Sequence, residues 1–575
     1  MDLRVRQVFT RSLLNKYFWF AAITFTGVAA YWNSFQGAFV FDHDMIPEKV
    51  YALADFLWAL ISFGRRAYLG LTFIANREVN GSNPFGWHFV NLAIHLAAGL
   101  TLFGICRRTF ARHISRFLQE LQVPLAGIIA VFFVVHPLQT ESVTFIWQRA
   151  ESLMGLLFLL ALYAVIRGYD SSRRWAWYAL ALLASDLALE TKPHMAAAPA
   201  IFLLYDYAYL SGSFKELWRK NRGLHVAVAL LWIVVFVGTR YYRTGGGDMG
   251  TVVVPRAEGM PSDPSAAIST WEYARSQFGI IQHYVWLTFW PDDLCFDYAW
   301  PVAHSIRDIV LSGIFIACLV SLTLWSCIKH PQWGFWAAWL FLLLAPSSSL
   351  VPQPNLCAEH RMYVAIAGII VLCVAGGAEW LCLQNKAPLW WRAGIVLLLA
   401  ATLGFSLRTI RRNQDYYTEL SMWGLVVKQR PDNARAWYNL GVAIAGNGGF
   451  DEAIDCFREA VRISPSLKIA KIKLGKYWML TGHPEEAHDI FKNLLDDEPN
   501  SAANNFMMGE AQLKLGNRAE AVRLFLNATN FENKPRAIEL CLRNAQRIDP
   551  SAGSPMLVPA KERQFQWQPP KLRLK

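Results

Sequence analysis

The chain has 575 residues, 54% of them hydrophobic, with 24 Trp, 36 Phe and a formal net charge of +12. That length asks for more than one domain, and the apolar share excludes a disordered chain. The positive balance does not mark a nucleic-acid binder, because Lys and Arg gather in short loops between apolar runs. The nine Cys form no CxxC pair, which excludes a zinc ribbon or a disulfide framework.

In chain order, Arg4, Arg6, Arg11 and Lys16 precede an apolar run that faintly resembles a secretory leader at Val28-Ala29-Ala30 and is expected to stay as an uncleaved first span. Apolar runs over about 17–34, 87–105, 121–137, 151–167, 175–191, 194–210, 223–240, 309–328, 333–346, 362–383 and 392–407 predict about eleven transmembrane helices. Basic loops set their direction: Arg107, Arg108, Arg112 and Arg116, then Arg167, Arg173 and Arg174, then Lys215, Arg219, Lys220 and Arg222. The segment Gln277–Trp290 carries Gln282, His283, Asp292 and Asp293 within or just after it, and reads as amphipathic or re-entrant. Eleven crossings from an inner start leave the C-terminal part outside.

That topology collects polar residues at the outer face: Asp42, His43, Asp44, His136, Glu141, Arg149, Glu151, Glu190, Lys192, Glu359, His360 and Arg361. Charges beside spans are costly and face a cavity or pair. Two readings follow: one pairing network, or a polar cavity at the membrane boundary. In Asp42-His43-Asp44 the two carboxylates point the same way if the segment is extended. They suit a general base for an acceptor hydroxyl, or a divalent-cation site. Arg149, Lys192 and Arg361 suit a phosphate, and an Arg fork grips two of its oxygens. Acid and phosphate clamp at a bilayer surface suggest transfer from a lipid phosphate. His88 and His95, seven apart on one helical face, read as packing hydrogen bonds.

Past Asn413 the composition becomes that of a soluble helical protein. Pro431, Pro465 and Pro499 are spaced by 34, as are Gly441, Gly475 and Gly509, Gly448, Gly482 and Gly516, Ala453, Ala487 and Ala521, and Phe457, Phe491 and Phe525. With Trp437, Leu440 and Ala460 this is the tetratricopeptide (TPR) pattern of stacked helix pairs, a surface for an extended peptide or a protein partner. A capping helical pair is expected over 531–548. The predicted fold is all-α: a polytopic membrane bundle over 1–412, a TPR solenoid over 413–550, and a Pro-containing basic tail over 551–575 with little regular structure.

Several motifs together resemble the transmembrane-and-TPR-containing O-mannosyltransferase family of type C glycosyltransferases. They are GAFVFDHDMI, NGSNPFGWHFVNLAIHL with Asn91, HPLQTESVTFIWQRAESL, ETKPHMAAAPAIFLLYD, WPDDLCFDY and PSSSLVPQPNLCAEHRMY, with the repeats following in the expected order. The resemblance implies a GT-C-like membrane domain. It implies transfer of a sugar, mannose foremost, from a polyprenyl-phosphate donor to Ser or Thr hydroxyls of a protein on the periplasmic or lumenal face. It places the catalytic carboxylate at Asp42. Two adjacent acids are the usual pattern, so the second role is divided here between His43 and Asp44. Arg149 and Arg361 are implied for donor phosphate, with Lys192 behind them. Glu151, Glu359 and His360 match their motifs. His136 and Glu141 shape the cavity, and Glu190 compensates for the glutamate that Pro193 displaces or pairs with Lys192. The resemblance leans away from a metal at Asp42 and Asp44 and implies no other cofactor. Transfer to a lipid or polysaccharide acceptor is the alternative reaction, and a non-catalytic TPR scaffold the alternative role. With three clear repeats, a bacterial inner membrane is expected, and an endoplasmic reticulum membrane is the alternative.

Overall fold

The computed structural model describes residues 13, 15–40, 67–244, 268–349, 351–353, 355–384, 388–532 and 535–552. All the described elements are helical. They fall into two units, Met1–Pro431 and Asp432–Lys575. The candidate residues Asp42, His43 and Asp44 and the tail from 553 lie outside the described residues.

The first unit is built from α1 (Lys16–Tyr31), α2 (Ala67–Asn80), α3 (Pro84–Phe110), α4 (Gln122–Val135), α5 (Arg149–Asp170), α6 (Arg174–Thr191), α7 (Ala198–Tyr205) and α8 (Phe214–Thr244). These are followed by α9 (Thr270–Phe289), α10 (Ile306–Lys329), α11 (Pro331–Leu344), α12 (Met362–Val371), α13 (Gly377–Leu383), α14 (Pro388–Asp415) and α15 (Glu419–Gln429). Local chemistry explains the starts. Asn83 accepts a hydrogen bond from Phe85 N at 3.1 Å with Pro84 in the first turn of α3. Ser269 and Glu272 close a reciprocal capping box on α9. Small residues then allow close crossing: a Cβ on Gly99 would strike Val134, and one on Gly127 would strike Trp19. The core of the unit is α3, α4, α5 and α6, with α5 and α6 joined by a tight turn and packed along each other.

Helices stand at all eleven predicted places. Five pass a test of length and apolarity for crossing a membrane, and a sixth passes as the bent pair Gln122–Val135 with Pro137–Thr144, among the described residues. The rest are shorter or more polar. The 14-residue α11 rises only about 21 Å, against a hydrocarbon core of about 30 Å.

The segment read as amphipathic or re-entrant forms α9. Its buried stripe meets one loop for most of its length. Tyr273 donates to Ser347 O, Gln277 to Leu356 O at 3.4 Å, and Tyr284 to Ala358 O at 2.9 Å. At its end, Thr288 O accepts from His136 Nε2 at 2.9 Å. Trp271, Trp286 and Phe289 remain exposed on the other side.

The first unit does not end at 412. Met422, Trp423 and Val426 of α15 are buried, and the Trp423 ring lies 5.4 Å from Phe296. Arg430 pairs with Asp293 at 2.5 Å. The compositional switch marks where apolar side chains stop facing lipid, not where packing stops, so α15 belongs to the membrane body.

The second unit stacks three helix pairs: α16 (Ala434–Gly446) with α17 (Phe450–Ile463), α18 (Lys468–Leu480) with α19 (Pro484–Asp497), and α20 (Ala502–Lys514) with α21 (Arg518–Phe531). A single helix, α22 (Pro535–Ile548), caps α21 where a capping pair was expected. The reason is that α21 itself runs to Phe531, so the segment up to Ile548 is taken by one helix. The 34-residue periodicity has two causes. A Cβ on Gly441, Gly475 or Gly509 would lie 2.8, 2.5 or 2.9 Å from the paired Phe457, Phe491 or Phe525 ring. Gly448, Gly482 and Gly516 turn between the helices at φ of +88°, +86° and +87°, where L side chains are strained.

Candidate functional site

Four segments of the membrane body meet in a nearly buried polar network. Glu141 comes from the turn Thr140–Thr144, Gln148 and Glu151 from the start of α5, Lys192 from the end of α6, and His360 from the 3₁₀ turn Glu359–Arg361. Glu141 Oε1 faces His360 Nδ1 at 2.6 Å while its Oε2 accepts from His360 N at 2.9 Å. Gln148 Nε2 lies 3.3 Å from His360 Nδ1, and its Oε1 accepts from Lys192 Nζ at 3.2 Å. Lys192 Nζ reaches Glu151 Oε2 at 2.6 Å. The side chains of Glu141, Glu151 and Lys192 are 4, 3 and 11% exposed, so their attraction acts with little screening.

Arg149 is fully buried beside this network but points elsewhere. Its Nε donates to Asn91 Oδ1 at 2.6 Å and its Nη2 to Asn76 Oδ1 at 2.5 Å, with further bonds to the carbonyls of Thr72 and Trp87. The guanidinium lies over the Phe73 ring at 4.7 Å and the Trp87 ring at 5.5 Å. Among the described residues its partners are neutral. Arg361 donates to Leu356 O at 2.7 Å, to Asn355 O and to Tyr273 Oη, and so fastens its own loop against α9. The three cations implied for phosphate therefore sit in three separate settings.

Glu359 is buried and has partners of its own. It accepts from Tyr298 Oη at 2.9 Å and from Cys295 N, and faces Arg412 of α14 at 3.5 Å. His136 accepts from Leu138 N and contacts Thr288 O, capping the turn that follows α4. Glu190 is half-buried in the last turn of α6. His95 packs as the sequence suggested, with Nδ1 2.9 Å from Tyr363 Oη and Nε2 3.0 Å from Val134 O. Among the described residues no three His, Cys, Asp or Glu side chains are disposed to hold a metal ion.

The described chain reaches Val40, two residues short of Asp42. Its anchors are long-range. Asn33 donates to Ile410 O at 2.7 Å, and Ala38 N to Tyr417 O at 3.0 Å. Gly37 O faces His88 Nε2 at 3.2 Å. The Phe39 ring lies 5.3 Å from Trp87, the same indole that flanks Arg149. Asn413, wholly buried, accepts from Thr144 at 2.7 Å and donates to Ala30 O and to Asn33 Oδ1.

Sequence reasoning missed Gln148, Asn76, Arg412 and Asn413. Gln148 carries no charge but sits beside Arg149, and a neutral amide next to a motif cation was the signal to follow. Arg412 and Asn413 were hidden by standing at the supposed domain boundary. Nothing local distinguishes Asn76.

Tetratricopeptide repeat models match residues 424–467 and 479–541. Over 507 residues the chain is 25% identical to the protein O-mannosyl-transferase TMTC3 of Mus musculus, with 80% of this chain and 52% of that protein covered. It is 24% identical to its counterpart in Homo sapiens, with 80 and 53% covered, and 26% identical to Tmtc3 of Drosophila melanogaster, with 82 and 58% covered. The chain thus spans about half the length of the curated relatives it matches. With an apolar helical body, a tetratricopeptide array and a match that runs over 80% of its length, the chain is similar to the TMTC proteins.

Proposed function

We propose that the chain is a membrane glycosyltransferase that moves mannose from a polyprenyl phosphate to a Ser or Thr hydroxyl of a protein. The observation that carries this reading is the similarity over 80% of the chain to proteins named protein O-mannosyl-transferases. The buried polar network within that shared region supports it. Asp42 accepts the hydroxyl proton as the oxygen attacks C1 of the sugar. The C1–O bond to phosphate breaks on the opposite face, the configuration inverts, and the polyprenyl phosphate leaves. Lys192, steadied by Glu151 and Gln148, offsets charge on the leaving phosphate. Arg149 and Arg361, whose donors are taken up by neutral groups, add only to the positive potential of the site in this reading, without touching the phosphate. No step calls on a metal, so a chelator is expected to leave transfer unchanged.

In this reading α9 lies along the membrane surface without crossing, which its contacts and exposed Trp271 and Trp286 support. The repeats then share the face of Asp42 and present the acceptor. The relatives reported above are animal proteins and lend no support to a bacterial inner membrane; the chemistry is the same in either compartment. The test is Asp42→Asn in a purified assay with a lipid-phosphate mannose donor. Transfer is expected to vanish while thermal unfolding is unchanged. Full activity of the variant would sink the assignment.

A further inference from the structure

The end of the membrane body opposite the polar network carries cations that the proposed reaction does not use. Arg149 opens α5 and Arg167 stands in its last turn, about 27 Å further along the axis. That separation is close to the thickness of a hydrocarbon core, about 30 Å. Arg107 and Arg108 occupy the last turn of α3. The charges that act on Arg107 include both Arg108 and Arg167, so the three cations share one locality. Rings join them into a strip. The Arg108 guanidinium lies 5.6 Å from the Tyr163 ring of α5, and the Arg167 guanidinium 5.0 Å from the Trp177 ring of α6. Those two rings stand 6.4 Å apart. Close approach of the helices seats them: a Cβ on Gly104 would lie 2.9 Å from the Tyr163 ring. Along α6 from Trp177, Leu180 and Leu183 are 44 and 54% exposed.

All three arginines are half-buried. Among the described residues none of them has a hydrogen-bond acceptor or a carboxylate at ion-pair distance. The Nε atoms of Arg108 and Arg167 are buried without a partner, while their outer nitrogens and those of Arg107 stay open. Nearby groups are committed elsewhere: Asp170 pairs with Arg112, and Arg174 donates to Asn221 Oδ1 at 2.6 Å. Arg116, Arg173, Lys215 and Arg222 also lack a carboxylate among the described residues, but they are exposed and water solvates them. Guanidiniums held against rings and against one another have given up part of that water, which favours an anion brought from outside.

We propose that Arg107, Arg108 and Arg167 bind the phosphate of an anionic glycerophospholipid in the leaflet at this end of the bundle, with its acyl chains against Leu180 and Leu183. The guanidinium forks match phosphate oxygens, and the lipid supplies the negative charge that the fold does not. A choline headgroup brings its own ammonium and leaves the positive excess uncompensated. A free phosphate has no chains to cover the two leucines. This site lies at the other end of α5 from Lys192 and Glu151 and stands whether or not the chain transfers mannose.

The test titrates the full chain in neutral detergent with phosphatidylglycerol and counts bound lipid by native mass spectrometry. Phosphatidylglycerol is expected to bind about tenfold more tightly than phosphatidylcholine. The double substitution Arg108→Gln with Arg167→Gln should weaken it by about tenfold or more, and Arg107→Gln by about fivefold. Arg116→Gln, on the turn Arg116–Glu120 that packs against α4 and α13, should leave it unchanged. Circular dichroism checks that each variant is folded. Arg107→Gln leaves both ring contacts in place and decides the matter if the double variant does not fold. Equal binding of phosphatidylcholine, unchanged affinity in Arg107→Gln and the double variant, or equal loss from Arg116→Gln would overturn the proposal. So would displacement of the lipid by an equal concentration of inorganic phosphate. Because no sugar donor is present, lipid binding by a chain that shows no transfer would defeat the proposed reaction and leave this site standing.

Discussion

At the scale of single residues, the Lys192–Glu151 pair separates stability from chemistry. Both side chains are almost wholly buried, at 2.6 Å. Lys192→Met leaves the Glu151 carboxylate without its ammonium, a loss of about 3–5 kcal/mol. Adding Glu151→Leu removes the stranded charge and should restore most of that stability in thermal unfolding. If Lys192 meets the leaving phosphate, mannose transfer stays low in both variants; recovery of transfer in the double variant would make the pair a structural tie. Arg149 gives a second case. Its guanidinium satisfies the Asn91 and Asn76 side chains and two carbonyls together. Arg149→Ala strands these acceptors and opens a cavity beside Phe73 and Trp87, so a loss of about 3 kcal/mol or more is expected. A melting temperature within a degree or two of the native chain would show that the site relaxes around the missing group. Arg149 was legible as a charge beside a span. Its acceptors were not, because Asn76 and Asn91 gain their meaning only when α2 and α3 are set against α5.

At the scale of elements, the repeats were read almost whole, because each periodic residue answers a local demand. The two sets of glycines make that demand measurable. Gly475→Ala would put a methyl 2.5 Å from the Phe491 ring, and should cost about 1–3 kcal/mol by overpacking. Gly482→Ala meets no neighbour but sits at φ +86°, and should cost about 1–2 kcal/mol through backbone strain. Gly446→Ala, in the last turn of α16 with open space around it, should be neutral or stabilise by up to about 1 kcal/mol. Chemical denaturation of the three variants checks the order, and an equal effect of all three would refute the packing account. In the membrane body, element positions were legible from apolar runs, but α9 was not fixed by its composition alone. Tyr273, Gln277 and Tyr284 lie on the face that meets the 347–358 segment, and only that contact shows where the helix goes.

At the scale of the molecule, the two ends of the membrane body are tied together. Asn413 joins Thr144, Ala30 and Asn33; Tyr417 O holds Ala38 N; Trp423 packs on Phe296. A chain cut after Pro431 keeps all of these, and one cut after Arg412 loses them. The first should therefore purify as a single species in detergent with a cooperative melt. The second should aggregate or melt far lower, and equal behaviour would return the boundary to the end of the last apolar run.

The sequence by itself determined the division into an apolar helical body and a 34-residue repeat, because burial of apolar side chains and helix-pair packing each impose a period that survives without knowing any contact. It also marked the charged residues that a membrane tolerates only at special places. The tertiary structure alone decided how those charges are spent. It joined Glu141, His360, Gln148, Lys192 and Glu151 across four segments, turned Arg149, Arg361 and Glu359 away toward other partners, and kept α15 with the membrane body. The physical reason is that periodicity is a property of one helix, whereas the partner of a buried charge is whatever group the fold brings within hydrogen-bond reach, from any distance along the chain.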